Sequence, residues 1–366
     1  MNFNWDKKLI VECKNNLLNK KNITDEELFL VEFYIDFLTD FKEDVEEQRL
    51  NQKEIIDILK EEVANYKKLM VELPKKFKVN LLTLIEGLSK ECFNEKERIL
   101  MDINDSTKTE EFVFLSHEIY EDISNKFNDV LSYIYNNNLV KIDMKDNADG
   151  PICYCDIYNK KGFVYIPFYN ESSFISCLNH ELAHSIITYL NGNFYIDKNF
   201  DFSEFHSIFM ENYTDRYMYQ KTKDNMYLYS EYNSLDRFKD EIKSLAIISS
   251  LSDVKKFTKY EIIKKMNDDF GIDLSDDFNK YFNGIIDRID IYLNYMYVFG
   301  ACCSINLLNK EDLNFIKEKF TKTCFNNITR RKDFFNLIGF YINNDYYMYD
   351  ILNKEFNTKK ELIRKI

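Results

Sequence analysis

Glycine and proline are scarce in this sequence, which has 8 glycines and 3 prolines among 366 residues. Both residue types interrupt helices and form tight turns, so their scarcity favours long helices joined by few sharp turns. Apolar residues recur at helical spacing within 24–72 and 109–135, and a further helix is predicted for 79–100. Pro74 closes the first of these segments. The sequence therefore predicts a mainly α-helical protein.

The periodicity changes at residue 152. The segments ICYCDIY (152–158) and GFVYIPF (162–168) are short, rich in β-branched and aromatic residues, and bounded by turn formers. They predict a β-hairpin. Pro167 lacks a backbone N–H and therefore fits either an edge strand or the end of a strand. After residue 171 the pattern is again helical.

Charge and cysteine content exclude several classes of partner. The formal net charge of −13 repels nucleic-acid phosphates and anionic membrane surfaces. The 8 cysteines show neither a C-x-x-C pair nor the spacing of a disulfide framework, as is typical of free thiols in a reducing cytosol. No signal peptide is visible at the N-terminus. The most apolar run, 291–308, contains Asn294, Ser304 and Asn306, so we expect a core helix. These features predict a cytoplasmic protein without nucleic-acid or membrane partners, and they leave its oligomeric state open.

The segment CLNHELAHSII (177–187) contains two of the four histidines in the chain. His180 and His184 are four residues apart, so both imidazoles lie on one helix face and can reach one metal ion. Glu181 points about 100° away around the helix, where it can reach a water bound to that metal. This H-E-x-x-H arrangement predicts two zinc ligands and a general base. The alternative is a pair of core histidines on an ordinary amphipathic helix.

A catalytic zinc site needs a third protein ligand. Glu204 lies twenty residues after His184, at the start of a second predicted helix, and is our candidate. Glu211 follows two turns later on the same face and could accept the remaining N–H of a ligating imidazole, with Asp215 as a further candidate for that role. His206 is nearly opposite Glu204 on this helix, so we expect a packing or surface residue. His117 lacks a partner histidine, and we expect it to be exposed.

The stretch from about 148 to 220 resembles the thimet oligopeptidase/oligoendopeptidase F family of zinc metallopeptidases. The resemblance rests on the hairpin before NHELAH and on SEFHSIFMENY, in which Glu204, Ser207 and Glu211 match the family's glutamate, serine and glutamate spacing. It implies a helical zincin-type fold with a small sheet beside the active-site helix and an enclosed channel for short unfolded peptides. It also implies that the 152–168 hairpin supplies an edge strand that pairs with the substrate backbone.

The sequence departs from this family near its C-terminus. The family has a histidine and tyrosines that stabilise the tetrahedral intermediate, but no histidine follows His206 in this chain, and Asp290 stands about where it would be. The nearby phenol donors are Tyr292, Tyr295 and Tyr297. The segment NNDYYMY (343–349), with Tyr346, Tyr347 and Tyr349, is an alternative source.

Together these features predict a helical N-terminal region over 1–100 and a zinc peptidase catalytic domain over 101–366. The expected function is zinc-dependent endopeptidase hydrolysis of short oligopeptides, with water activated by zinc and Glu181. The alternative is a catalytically weak or inactive zinc-containing protein of the same fold that binds peptides or acts as a scaffold. A helical interaction protein without a metal would require the three ligands to be coincidental.

Overall fold

The computed structural model of the protein describes residues 50–94, 109–143, 150–156, 160–167, 174–192, 195–197, 200–201, 203–326, 328 and 330–366. In chain order the elements are α1 (Gln52–Glu72), α2 (Lys75–Asn94), α3 (Thr109–Ile123), α4 (Lys126–Asn136), β1 (Val140–Asp143), β2 (Ile152–Asp156), β3 (Lys161–Pro167), α5 (Phe174–Asn191), β4 (Tyr195–Asp197), β5 (Phe200–Asp201), α6 (Ser203–Thr222), α7 (Met226–Leu251), α8 (Lys259–Phe270), α9 (Phe278–Ile286), α10 (Ile291–Leu308), α11 (Leu313–Phe325), α12 (Arg331–Ile338) and α13 (Tyr347–Ile363). The predicted mainly helical fold with a small sheet is confirmed.

Helices α5, α6 and α10 form the centre of the molecule. The helix α6 packs between α5 and α10, and α7 packs against both α6 and α10. Within the described residues, α10 is the one helix with the length and hydropathy to cross a membrane, and 78% of that segment is buried inside the protein. It is therefore placed as a core helix, which is what its interrupted apolar run predicted.

A three-stranded sheet covers one side of α5. Its order is β1-β3-β2, with β3 parallel to β1 and antiparallel to β2. The hairpin β2–β3 was predicted, whereas β1 was not, because VKID is short and half charged. Strand β3 is central, and Pro167 is its last residue, so the strand-end alternative is correct and the edge-strand alternative is wrong. Strand β2 is left at the edge, beside α5.

Local side-chain hydrogen bonds accompany two helix ends, the start of α1 and the break between α3 and α4. Residues 24–49 of the predicted segment 24–72 lie outside the described residues. The helix α1 begins with a capping box in which the Asn51 and Glu54 side chains accept each other's backbone N–H. The predicted stripe over 109–135 is broken into α3 and α4. The Ser124 hydroxyl accepts a hydrogen bond from the backbone N–H of Lys126 at 3.4 Å, which offers the backbone an alternative to the helix.

The predicted boundary at residue 100 lies outside the described residues. On its N-terminal side, α1 and α2 pack against α7, and α2 also packs against α13. Buried side chains of α1 and α2 belong to the same hydrophobic cluster as those of α5, α6 and α10. The described parts of the two predicted domains therefore share one core, and the boundary stays a prediction.

Aromatic stacking joins α6 to α11, and it provides a test of the core. The rings of Phe209 and Phe320 stack at 3.9 Å, and both side chains are almost completely buried. We predict that Phe320→Ala lowers the free energy of unfolding by about 3–5 kcal/mol, because the lost ring leaves a cavity. Chemical denaturation measures this, with Phe114→Ala as the control because Phe114 is 69% exposed. Equal losses in the two variants would contradict the packing.

Candidate metal centre

Helix α5 presents His180 and His184 on one face. Their rings meet edge to face with centroids 5.1 Å apart, and both side chains are at most 12% exposed. Ser185, the residue after His184, holds α5 against the sheet. Its hydroxyl donates a hydrogen bond to the carbonyl oxygen of Gly162 at 2.8 Å. A side chain on Gly162 would meet the Ser185 Cα at 2.4 Å, so glycine allows this close approach.

Helix α6 runs antiparallel to α5 and brings Glu204 to the two imidazoles. The Glu204 Oε2 atom lies 3.6 Å from His180 Nε2, and Oε1 lies 3.7 Å from His184 Nε2. The Ser207 hydroxyl donates to Glu204 Oε2 at 3.0 Å, one turn along the helix, and so helps to orient the carboxylate. The predicted ligands from two helices thus converge on one point, with one ligand atom from each lying within 4.8 Å of the others.

The donor set and its spacing fit zinc. Two neutral imidazoles and one carboxylate are ligands typical of catalytic zinc, with bonds of about 2.0–2.2 Å. Tetrahedral coordination at that length puts ligand atoms about 3.3–3.6 Å apart, close to the observed Nε2–O separations of 3.6 and 3.7 Å. Within the described residues, this is the one group of three metal-binding side chains so arranged.

Glu211 and Arg237 fix the first imidazole. The same carboxylate oxygen, Glu211 Oε2, accepts from His180 Nδ1 at 3.0 Å and from Arg237 Nη2 at 2.9 Å. Burial raises the pKa of Glu211, but the charge of Arg237 and the bond from His180 outweigh it, and the pKa falls to about 2. Burial lowers the pKa of His180 more than Glu211 raises it. A neutral His180 with its proton on Nδ1 therefore turns the Nε2 lone pair towards Glu204.

Glu181 is buried beside the ligands. Burial, followed by the negative charge of Glu204, raises the pKa of Glu181 well above its usual value, and the positive charge of Arg237 opposes that rise. A group that takes up and releases a proton at neutral pH needs a raised pKa of this kind. A cation bound by the three ligands would attenuate the shift, because it offsets the charge of Glu204.

The structure separates the candidate tyrosines. The charge of Glu204, then burial, and then the charge of Glu181 raise the pKa of Tyr297, which is the candidate tyrosine whose phenol these two carboxylates affect. The Arg237 guanidinium lies 5.7 Å from the centre of its ring. Tyr295 instead stacks on Phe299 at 5.7 Å in the core.

The remaining tyrosines have other surroundings. In the described part of the chain, the buried Tyr292 hydroxyl makes no hydrogen bond, so none joins it to the candidate ligands. In the alternative segment, the Tyr347 hydroxyl donates to Asn306, the Tyr349 ring covers Gly87, and Tyr346 is 60% exposed.

Several other sequence candidates do not join the site. The Asp215 carboxylate accepts from the Ser176 hydroxyl at 2.5 Å and so ties α6 to α5 rather than orienting a histidine. His206 is buried, with its ring centroid 6.0 Å from that of Phe320, which is the packing role expected. The expectation that His117 is exposed is wrong. Its ring is half-buried beside Tyr135, with centroids 5.6 Å apart.

Asp290 and Arg237 are the two residues whose roles the sequence did not indicate. Asp290 is the N-cap of α10, and its side chain accepts the backbone N–H of Leu293 at 2.9 Å. Asp290, which stands about where the resemblance would place a histidine, therefore serves as a helix cap in this protein. Arg237 belongs to no motif. It reaches the site from α7 by tertiary packing, and a lone arginine in a long helix gives no local signal of that.

A glycine on α10 allows that helix to approach the third ligand. A side chain on Gly300 would lie 2.9 Å from the backbone carbonyl carbon of Glu204, 3.0 Å from its Cβ, and 3.0 Å from the backbone nitrogen of Phe205. Tyr297 is three residues before Gly300, on the same side of α10. The close approach therefore brings the side of α10 that carries Tyr297 against the backbone of Glu204.

Comparison with known proteins gives the fold. No protein-family model matches the sequence, and no curated protein matches it. Among solved structures, a protein designated oligoendopeptidase F from Bacillus anthracis str. Ames is 15% identical with a TM-score of 0.55, over 82% of this chain and 56% of its own. PZ peptidase A, solved with an inhibitor, is 12% identical with a TM-score of 0.54, over 97% of this chain and 75% of its own. The chain has an oligopeptidase fold.

A second structure designated oligoendopeptidase F gives a similar result, at 14% identity and a TM-score of 0.52, over 84% of this chain and 58% of its own. The chain thus spans a little over half the length of both oligoendopeptidase F structures.

We predict that Glu211→Gln weakens zinc binding about 10- to 100-fold, because the amide cannot hold the His180 proton and the Arg237 charge as the carboxylate does. Competition with a chromophoric chelator measures the affinity. Asp215→Asn is the matched control, one turn further along α6, where the buried carboxyl bonds to Ser176. Unchanged zinc affinity in the Glu211 variant would refute its orienting role.

We predict that Gly300→Ala lowers the free energy of unfolding by about 1–3 kcal/mol through overpacking, and that it weakens zinc binding because the added methyl group displaces the backbone of Glu204. Gly284→Ala is the control, since nothing lies within 4 Å of its added methyl group. Denaturation and zinc titration of both variants measure the two effects. If both variants behave like the wild type, the close approach at Gly300 is not required.

Proposed function

We propose that this chain is a zinc-dependent metallo-endopeptidase that hydrolyses short, unfolded oligopeptides. The observation that carries the proposal is the convergence of His180, His184 and Glu204 with Glu181 beside them, on an oligopeptidase fold. This set of side chains supports the proposal because metal-assisted peptide hydrolysis uses three protein ligands and one base that is not a ligand.

His180, His184 and Glu204 would hold the zinc, which when bound lowers the pKa of its water to about 7. Glu181 accepts the proton from the attacking water and passes it to the leaving amine. The raised pKa of Glu181 suits both proton transfers. A carboxylate of ordinary pKa would be a weaker base towards the water, and it would lose the proton too readily before the amine leaves. Glu211 meanwhile holds the Nδ1 proton of His180 and so keeps that ring in one orientation.

Tyr297 is the proposed donor to the oxyanion that develops on the scissile carbonyl. Its raised pKa keeps the phenol protonated, so that it can donate a hydrogen bond. Gly300, one turn later, keeps α10 close to Glu204. Tyr295 and Tyr292, the other candidates from this segment, are not used in this proposal.

Substrate binding would involve the sheet. Strand β2 is an edge strand of the described sheet and packs beside α5, one residue of which is Glu181. An extended peptide can add to such an edge through backbone hydrogen bonds, and this mode selects unfolded substrates. An enclosed channel for short peptides remains part of the proposal, as does the cytoplasm as the compartment. The cysteines in the described residues are free thiols. No nucleic-acid or membrane partner is proposed.

A second candidate is a zinc-containing peptide-binding or scaffold protein with weak or no catalysis. One observation favours it: no histidine follows His206, and Asp290 caps a helix where the family's histidine would stand. A missing oxyanion donor costs about 100- to 1,000-fold in rate. Peptide binding by the zinc-loaded protein without cleavage products would select this candidate.

We predict that the zinc-loaded protein cleaves internally quenched peptides of graded length, that a chelator abolishes cleavage, and that Glu181→Gln lowers kcat at least about 100-fold while the zinc content stays at the wild-type level. The reason is that the amide cannot accept the proton of the attacking water. Fluorescence assays and metal analysis of the same samples measure both quantities.

The exposed residue Glu110 on α3 provides the control, because Glu110→Gln makes the same chemical change away from the ligands. A Glu181→Gln protein that retains both zinc and full turnover would exclude Glu181 as the base. Retained zinc with no cleavage by the wild type would instead favour the scaffold candidate.

A further inference from the structure

Glu241 is an acidic side chain beside the metal centre that the proposed mechanism does not use. It lies on α7, one turn after Arg237 and on the same helix face. Arg237 faces the site, since it bonds to Glu211 and lies over the ring of Tyr297. Glu241 therefore extends the same wall of the site, and its side chain is only half-buried, which leaves it accessible to a ligand.

The carboxylate of Glu241 has no partner of its own in the described part of the chain, where it makes neither a hydrogen bond nor an ion pair. The neighbouring cations are bound elsewhere. Arg237 pairs with Glu211 at 2.9 Å, while Arg288 and Lys243 pair with Asp240 at 3.6 and 3.1 Å. A half-buried carboxylate that lacks a partner favours the approach of a cation.

The charges around Glu241 agree with its position on α7 beside Arg237. Burial first, with further contributions from Asp240 and Glu204, raises the pKa of Glu241 to about 7, while Arg237 and Arg288 lower it. The negative charge of Glu241 also contributes to the raised pKa of Tyr297. Glu241 lies one turn after Arg237 on α7, and Arg237 lies over the ring of Tyr297 on α10, so Glu241 borders the side of α7 that packs against α10.

We propose that Glu241 is a specificity-determining residue that binds a cationic nitrogen of the peptide substrate, from a lysine or arginine side chain or from the free α-amino group. This inference rests on the proposed peptidase function and adds its substrate class. The net charge of −13 attracts such peptides at long range. At the site, Glu241 would pair with the positive charge of the peptide and so favour cationic over neutral substrates.

The test uses the full-length, zinc-loaded protein and internally quenched peptides with blocked ends. One series places lysine, norleucine or glutamate at each position on either side of the cleaved bond, and one peptide has a free N-terminus. Norleucine matches the lysine stem without its charge. The wild type is expected to show, at one position or for the free amine, a kcat/KM about 10-fold or more above that of the neutral peptide.

In Glu241→Gln the ratio of kcat/KM between cationic and neutral peptides is expected to fall to about one, and in Glu241→Lys the glutamate peptide is expected to be preferred. Asp240→Asn is the matched control: it removes one negative charge from the adjacent residue, which pairs with Arg288 and Lys243, and it is expected to retain the wild-type ratio. Thermal unfolding and zinc content show whether each variant is folded and loaded.

A ratio unchanged by Glu241→Gln, or lost equally in Asp240→Asn, would overturn the inference while leaving the peptidase proposal intact.

If the wild type cleaves none of the peptides, the peptidase proposal fails, and binding decides the inference alone. Fluorescence anisotropy of the same peptides with zinc-loaded Glu181→Gln protein should then show tighter binding of the cationic peptide, and that difference should vanish in the Glu181→Gln, Glu241→Gln double variant. Equal affinities would overturn it.

Discussion

The antiparallel contact between α5 and α6 is the constraint on which the site depends. Polar side chains fix the register along this contact: Asn179 Nδ2 donates to the Thr214 hydroxyl at 2.9 Å, and Ser176 donates to Asp215. Buried polar groups must be satisfied, so a shift of one helix along the other would leave these groups unpaired. The same register brings Glu204 and Glu211 opposite the two histidines, and the packing that holds the helices together therefore also brings the candidate ligands together.

Like charges are buried together around the three candidate ligands. Glu181 and Glu204 are both buried, and the negative charge of Glu204 opposes ionisation of Glu181. The positive charge of Arg237 is already paired with Glu211, so it does not neutralise Glu181 or Glu204. Buried carboxylates are retained where they bind a metal or pair with a base. A divalent ion between His180, His184 and Glu204 would satisfy the remaining charge.

The sequence predicted the parts of the fold and site that local spacing controls. Helical periodicity, the β2–β3 hairpin and the H-E-x-x-H register follow from interactions within a few residues. The prediction of Glu204 as a candidate ligand required only that a second helix pack back against the first. Spacing could not select Tyr297 among 26 tyrosines or reveal Arg237, because packing between distant segments decides those positions. The Ser124 hydroxyl accepts a backbone N–H at the break between α3 and α4, and Asp290 caps the start of α10; both are single side-chain hydrogen bonds that periodicity does not reveal.

The central claim is that two imidazoles and one carboxylate bind a single divalent ion. A crystal structure of the zinc-loaded protein, with anomalous diffraction measured on both sides of the zinc absorption edge, tests it most directly. The account predicts one strong anomalous peak per chain, bonded to His180 Nε2, His184 Nε2 and a Glu204 oxygen at about 2.0–2.2 Å. The absence of a peak at this position, or zinc bound by other side chains, would contradict it.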